Sequence, residues 1–116
     1  MRTYVVEPQQ IFVPSLIKLL QESGLSIVRV TNALDPLDVA RIRPAMLFCD
    51  GDPLEEKTIR TLRFLHDSIP ELQIVCLYSR AAPTDAGLRD CSRLVHLDKK
   101  AGGETLLATL QRYVTA

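Results

Sequence analysis

Residues 45–50 read AMLFCD and residues 73–79 read QIVCLYS. Both runs have the length of a strand and are almost unbroken in hydrophobicity. A strand with one wet face alternates apolar and polar residues, so an unbroken run marks a strand covered on both faces, as in the middle of a parallel sheet. The two runs therefore predict a central pair of strands with helices on either side. The first of them closes on an acid, Asp50.

Working outward, three more short β-branched runs lie at Thr3–Glu7, Ser26–Val30 and Arg93–Leu97, and the segments between strands carry helical signals. Phe12, Leu16, Leu19 and Leu20 recur at helical spacing, with Gly24 where a helix would stop, and Pro14 sets the start close to Val13. Asp35 and Pro36 read as an N-cap and a first helical residue, and Pro44 ends a short second helix. Asp52, Pro53 and Glu55 repeat that start signal ahead of Ile59, Leu62, Leu65 and Ile69, the clearest helical stripe in the chain. Residues 81–92 hold Pro83, Gly87 and one large apolar residue, Leu88, which predicts a short or partly irregular fourth helix. Leu106, Leu107, Leu110 and Val114 give a final amphipathic helix after Gly102 and Gly103.

Strands that alternate with helices from end to end require parallel pairing with right-handed crossovers. The expectation is one α/β domain over residues 1–116, a doubly wound, flavodoxin-like (βα)5 fold, at a length that suits a single core. The hydrophobic fraction of 47% and charged fraction of 24% are those of a globular protein. Fourteen basic residues balance fourteen acidic ones, and no dense basic stretch marks a nucleic-acid surface. No apolar run approaches the roughly 20 residues that span a bilayer, and the N-terminus lacks a signal-peptide layout, so a cytoplasmic location is expected. Cys49, Cys76 and Cys91 form no C-x-x-C pair and read as reduced thiols. Cys49 and Cys76 are expected in the core and Cys91 nearer the surface.

In doubly wound sheets, ligands collect at the carboxyl ends of the strands, where strand order reverses. Those ends deliver Glu7, Thr31, Asp50 with Asp52, Ser79 and, just past the fifth strand, Lys99. Carboxylates can hold a hard cation such as Mg²⁺, a hydroxyl can bond a phosphoryl oxygen, and a lysine can neutralise it. The set suits phosphoryl transfer to a carboxylate.

Along its whole length, and in the right order of elements, the chain resembles the receiver domain of two-component response regulators, the CheY-like superfamily. VVEPQQIFVPSLIKLLQESGL (5–25) lines up with the family's opening, in which two acids end the first strand; Glu7 matches the first, and Pro8 stands in place of the second. RPAMLFCDGDP (43–53) resembles the family's phosphoacceptor strand and implies phosphorylation of Asp50. CLYSR (76–80) places Ser79 on the family's Ser or Thr. LVHLDKK (94–100) places Lys99 on its lysine and His96 on its switching aromatic position. The resemblance implies strand order 2-1-3-4-5, Mg²⁺ held by Glu7, Asp50 and Asp52, and a conformational change read through Ser79 and His96. It also implies a histidine kinase or phosphotransfer protein as donor, a downstream protein or second copy as reader, and a signalling module rather than an enzyme. Three departures, Pro8, Arg80 and Lys100, point to a weakened metal site and an altered pocket.

Each residue has a plainer reading beside the functional one. Asp52 serves as an N-cap, Glu7 as a partly exposed strand end, Ser79 as a turn cap, and Lys99 as one of a solvated charge cluster with Lys100 and Asp98. His96 reads equally as a packed strand residue and His66 as a surface residue. Neither histidine has partners for a catalytic triad or a metal box, and no glycine-rich phosphate loop is present. Two functions remain: a phosphoacceptor at Asp50, and a pseudo-receiver that binds a partner without phosphorylation.

Overall fold

The computed structural model describes residues 1–50, 55–78, 88, 90–98 and 102–114. Strand β3 (Met46–Asp50) forms where the apolar run predicts it, and all five of its residues are buried. It lies between β1 (Arg2–Val6) and β4 (Gln73–Tyr78), with β2 (Ser26–Thr31) and β5 (Leu94–Asp98) at the edges. The sheet order is β2-β1-β3-β4-β5, and every pairing is parallel. This is the five-stranded, doubly wound arrangement expected from the alternation of elements.

Parallel neighbours cannot be joined by a tight turn, so the chain crosses the sheet through helices. The crossovers from β1, β2 and β3 carry α1 (Val13–Glu22), α2 (Pro36–Ile42) and α3 (Glu56–Ser68), and α4 (Gly102–Val114) follows β5. Side chains alternate across a pleated strand, and the core divides accordingly. Tyr4, Val6, Leu47, Cys49 and Ile74 pack on one face with Leu62 and Leu65 of α3. Val5, Met46, Phe48 and Val75 pack on the other with Leu20 of α1 and Leu110 of α4.

Most helix limits follow from the capping residues. Pro14 is tolerated near the start of α1 because first-turn N–H groups have no intrahelical acceptor. Gly24 takes a left-handed φ of 89° after α1, and the N–H of Leu25 donates back to the Leu20 carbonyl at 3.2 Å. Asp35 caps α2 by accepting from the Leu37 N–H at 3.0 Å, with Pro36 first in the helix. The same helix ends on Arg43 in the left-handed region, φ 51°, just before Pro44. The Arg2 guanidinium donates to the last carbonyls of this turn, Ile42 at 3.2 Å and Arg43 at 3.1 Å.

Four expectations need correction. Helix α3 begins at Glu56 with Glu55 as its N-cap, later than the Asp52–Pro53 signal implied, and the Glu55 side chain makes no cap bond. His66 is not a surface residue. It is 7% exposed, contacts Asp67 at 2.9 Å through Nδ1, and through Nε2 accepts the Arg93 N–H at 3.3 Å. Cys91 is also buried, at 5% exposure, within the same core layer as Cys49 and Cys76. Strand limits also shift by single residues: β1 starts at Arg2 and stops at Val6, β2 runs on to Thr31, β3 starts at Met46, and β5 starts at Leu94 and runs on to Asp98, while the described part of β4 ends at Tyr78. The expected fourth helix over 81–92 falls mostly outside the described residues.

Candidate functional site

The sheet order reverses between β1 and β3, so the crevice of a doubly wound fold opens where these two strands end. Asp50 is the last residue of β3, paired with Leu77 of β4, and is 8% exposed. On the other side the β1–β3 register runs to Val6↔Cys49, and one further step sets Glu7 beside Asp50. Glu7 is still tied to the sheet, because its N–H donates to the Thr31 carbonyl at 2.9 Å. By the alternation of the pleat, Glu7 falls on the face of Val5 and Asp50 on the face of Phe48, which is the same face.

Glu7 is 5% exposed, more deeply buried than a solvated strand end. Its Oε2 accepts the N–H of Gln9 at 3.3 Å, which orients the carboxylate in the turn leading to α1. The thiol of Cys49 registers both acids. Burial first, then Cys76, Asp50 and Glu7, push it far above the ordinary thiol range, so it is a protonated core group and not a nucleophile.

Two buried carboxylates on one face are an expensive arrangement unless a cation or proton offsets them. Mg²⁺ characteristically takes one or two carboxylates and keeps several waters, so Glu7 and Asp50 fit it as holders. Pro8 supplies no third acid. Among the described residues, no three His, Cys, Asp or Glu side chains gather as a metal site.

Although its place in the pleat is on the Phe48 face, Asp50 is the last residue of its strand, and at that edge it also borders a cavity of about 290 Å³ on the α3 side. Val6, Cys49 and Pro8 contribute apolar wall, Asn32 to Leu34 border it after β2, and Glu55, Lys57, Thr58 and Thr61 of the α3 start supply polar groups. Thr31 shapes this border by donating its hydroxyl to the Ala33 carbonyl at 3.0 Å. The α3 contribution was not read from the sequence, although the signal was there: a helix that starts soon after a strand-end acid must present its first turn near that acid.

His96 lies on β5, register-paired with Cys76, and is half-buried. Burial lowers its imidazole below 6.5, which keeps it neutral near pH 7. Ser79 and Lys99 follow β4 and β5 directly in the sequence, and with Asp52, Arg80 and Lys100 they lie outside the described residues. The structure therefore brings together Asp50 and Glu7 of the expected set, with His96 two strands away.

No family model and no curated protein sequence matches this chain. Solved structures do. The response regulatory domain of MrkE from Klebsiella pneumoniae superposes with a TM-score of 0.78 at 16% identity, over 99% of this chain and 96% of that one. A protein assigned to pilus assembly, CpaE of Burkholderia thailandensis, gives 0.78 at 15% identity over 100% and 99%. The isolated REC domain of RcsB from Salmonella enterica serovar Typhimurium, solved with the phosphomimetic BeF3⁻, gives 0.69 at 17% over 97% and 88%. The chain thus has the fold of response-regulator receiver domains, with Asp50 at the sheet edge where that fold gathers its ligands.

Proposed function

We propose that this chain is a receiver domain that accepts a phosphoryl group on Asp50 and signals through a conformational change. One observation carries the reading: a buried aspartate ends the central strand, at the point of strand-order reversal, with a second buried acid beside it. In the step, an Oδ of Asp50 forms a bond to phosphorus while the bond from phosphorus to the donor's imidazole nitrogen breaks, and the electron pair leaves with that nitrogen. A hydrated divalent cation, when bound, offsets the charge between the carboxylates and the incoming phosphoryl oxygens. Glu7 and Asp50 would hold it, with Asp52 as a further holder from the sequence. The missing acid at Pro8 means that a higher Mg²⁺ concentration is needed than for a full acidic pair.

The remaining roles come from the sequence resemblance. Ser79 orients the phosphoryl group, Lys99 compensates its charge, and His96 repacks when Ser79 moves toward the new oxygens. The donor is a histidine kinase or phosphotransfer protein, the reader is a downstream protein or a second copy, and the setting is the cytoplasm. No helix among the described residues is long and apolar enough to cross a membrane.

The test is incubation with Mg²⁺ and acetyl phosphate, followed by intact mass, on wild type and Asp50→Asn. Transfer from this donor leaves acetate and a phosphorylated Asp50, so the wild type gains one phosphoryl and the variant none. Beryllium fluoride with Mg²⁺ should change the spectrum of the wild type alone. A wild type that neither gains phosphoryl nor responds to the mimic sinks the phosphoacceptor reading and leaves the pseudo-receiver, which binds its partner constitutively.

A further inference from the structure

The cavity beside Asp50 holds a cation that the receiver resemblance does not assign. Lys57 lines it from the first turn of α3, next to Thr58. Among the described residues along its wall, Lys57 is the one basic group, against the carboxylates of Asp50 and Glu55. No described carboxylate forms an ion pair with Lys57. Its backbone is fixed in place, because the Thr61 hydroxyl donates to the Lys57 carbonyl at 2.9 Å. Thr58 is partly buried at the same wall. Pro8 borders the cavity as well, so the side of Asp50 that lacks an acid is the side to which Lys57 has access.

Phosphorylation replaces one carboxylate charge at Asp50 with a dianionic group whose oxygens are strong acceptors. Glu7 stays close and buried, so charge around the acceptor becomes more negative just where the metal-binding acid is absent. Beside the divalent cation and Lys99, a further lysine that reaches the phosphoryl oxygens adds compensation on this side, and its flexible stem suits it as a point charge. We propose that the phosphoryl group on Asp50 is received in this cavity by Lys57, which neutralises its oxygens, and by the Thr58 hydroxyl, which donates a hydrogen bond to one of them. The inference rests on the phosphoacceptor reading and deepens it: α3, as well as the ends of β4 and β5, holds the phosphorylated state.

The test titrates beryllium fluoride, with Mg²⁺ fixed and saturating, into the intact chain and into Lys57→Gln, Lys57→Arg and Thr58→Val, reading the apparent Kd by spectral change. Lys57→Gln should weaken the mimic about tenfold and flatten the salt dependence of its binding, as loss of one charge-assisted contact requires. Lys57→Arg should stay within about threefold of wild type, because charge is retained. Thr58→Val should weaken binding by a smaller factor, on the order of threefold. Lys57 is exposed, so the helix folds in its variants, which far-UV dichroism verifies. Equal affinity and equal salt slope in wild type and Lys57→Gln overturn the inference while leaving Asp50 as acceptor. A wild type that never responds to the mimic removes the phosphoacceptor reading and this inference with it.

Discussion

Buried and half-buried polar groups illustrate what single residues contribute, and how differently they can be read. Asp38 receives the Tyr4 hydroxyl at 2.6 Å and the guanidinium groups of Arg29 and Arg41, and the Tyr4 bond first, then the arginines, hold its carboxyl below the usual range. That network fastens α2 to β1 and β2, yet nothing in the order of residues 4, 29, 38 and 41 announces it, since it exists only once the sheet has formed. His96 is different, because its place on an apolar strand already implied burial. Burial lowers its pKa from 6.5, so between that value and the folded one the unfolded chain binds the proton and the native chain does not. The associated stability is complete above 6.5 and is lost as pH falls through the window to the folded value. Wild type should therefore show a drop in urea midpoint from about pH 7.5 to about pH 5.5, of which His96→Phe removes a measurable part. Identical acid losses in the two proteins would show that His96 does not titrate with folding. At the candidate site, Asp50 and Glu7 were legible because an acid closing an apolar strand has few structural uses. Lys57 and Thr58 were not, because a charge and a hydroxyl in a first helical turn look like ordinary solvated residues until a cavity is seen between them and Asp50.

Elements were legible where periodicity and caps agree, and less so where a tertiary contact sets the limit. Asp35–Pro36 is a local signal, and α2 starts on it. The similar signal at Asp52–Pro53 lies outside the described residues, and α3 starts at Glu56 after an extended Glu55, so a capping pattern in sequence does not by itself fix a helix start. The far end of α3 depends on a residue distant in sequence. The Arg93 guanidinium donates to the carbonyls of His66 at 2.6 Å, Ile69 at 2.9 Å and Leu72 at 2.8 Å. Final-turn carbonyls lack intrahelical donors, and a cation there also meets the negative end of the helix dipole. Arg93 thus closes α3 and at the same time anchors the entry to β5. Removing a charged donor from several partly buried acceptors leaves them unsatisfied, so Arg93→Ala should cost about 2–3 kcal/mol in urea unfolding. Arg93→Lys should recover less than half of that, because one ammonium cannot reproduce the planar fork. Faster amide exchange in the last turn of α3, without a change through α1, would place the loss where it is argued to act. A cost below about 0.5 kcal/mol would mean that solvent satisfies these carbonyls equally well.

At the scale of the whole molecule, the sheet is a partition. Continuous apolar runs in β3 and β4 predicted cover on both faces, and the two core layers are what that cover becomes: one under α2 and α3, the other under α1 and α4. Side chains on opposite faces are separated by the backbone plane, whereas those on one face interlock with their register neighbours. Packing defects should therefore propagate within a layer and stop at the sheet. Val5 belongs to one layer and Ile74 to the other, with β3 between their strands. Ile74→Val should cost about 1 kcal/mol and Val5→Ala about 2 kcal/mol, and the double variant should equal their sum within about 0.5 kcal/mol. Leu47 and Ile74 are register partners in the same layer, so Leu47→Ala combined with Ile74→Val should depart from additivity by more than that, because the space left by one is relaxed into by the other. Both cycles are read from urea midpoints at constant m-value. If the pair across the sheet couples as strongly as the pair within a layer, the two layers form one mechanical unit, and a change at α3 driven by Asp50 would be felt at α1 and α4 as well. If only the pair within the layer couples, a signal that starts at Asp50 and enters α3 stays on that face unless β4 and β5 move.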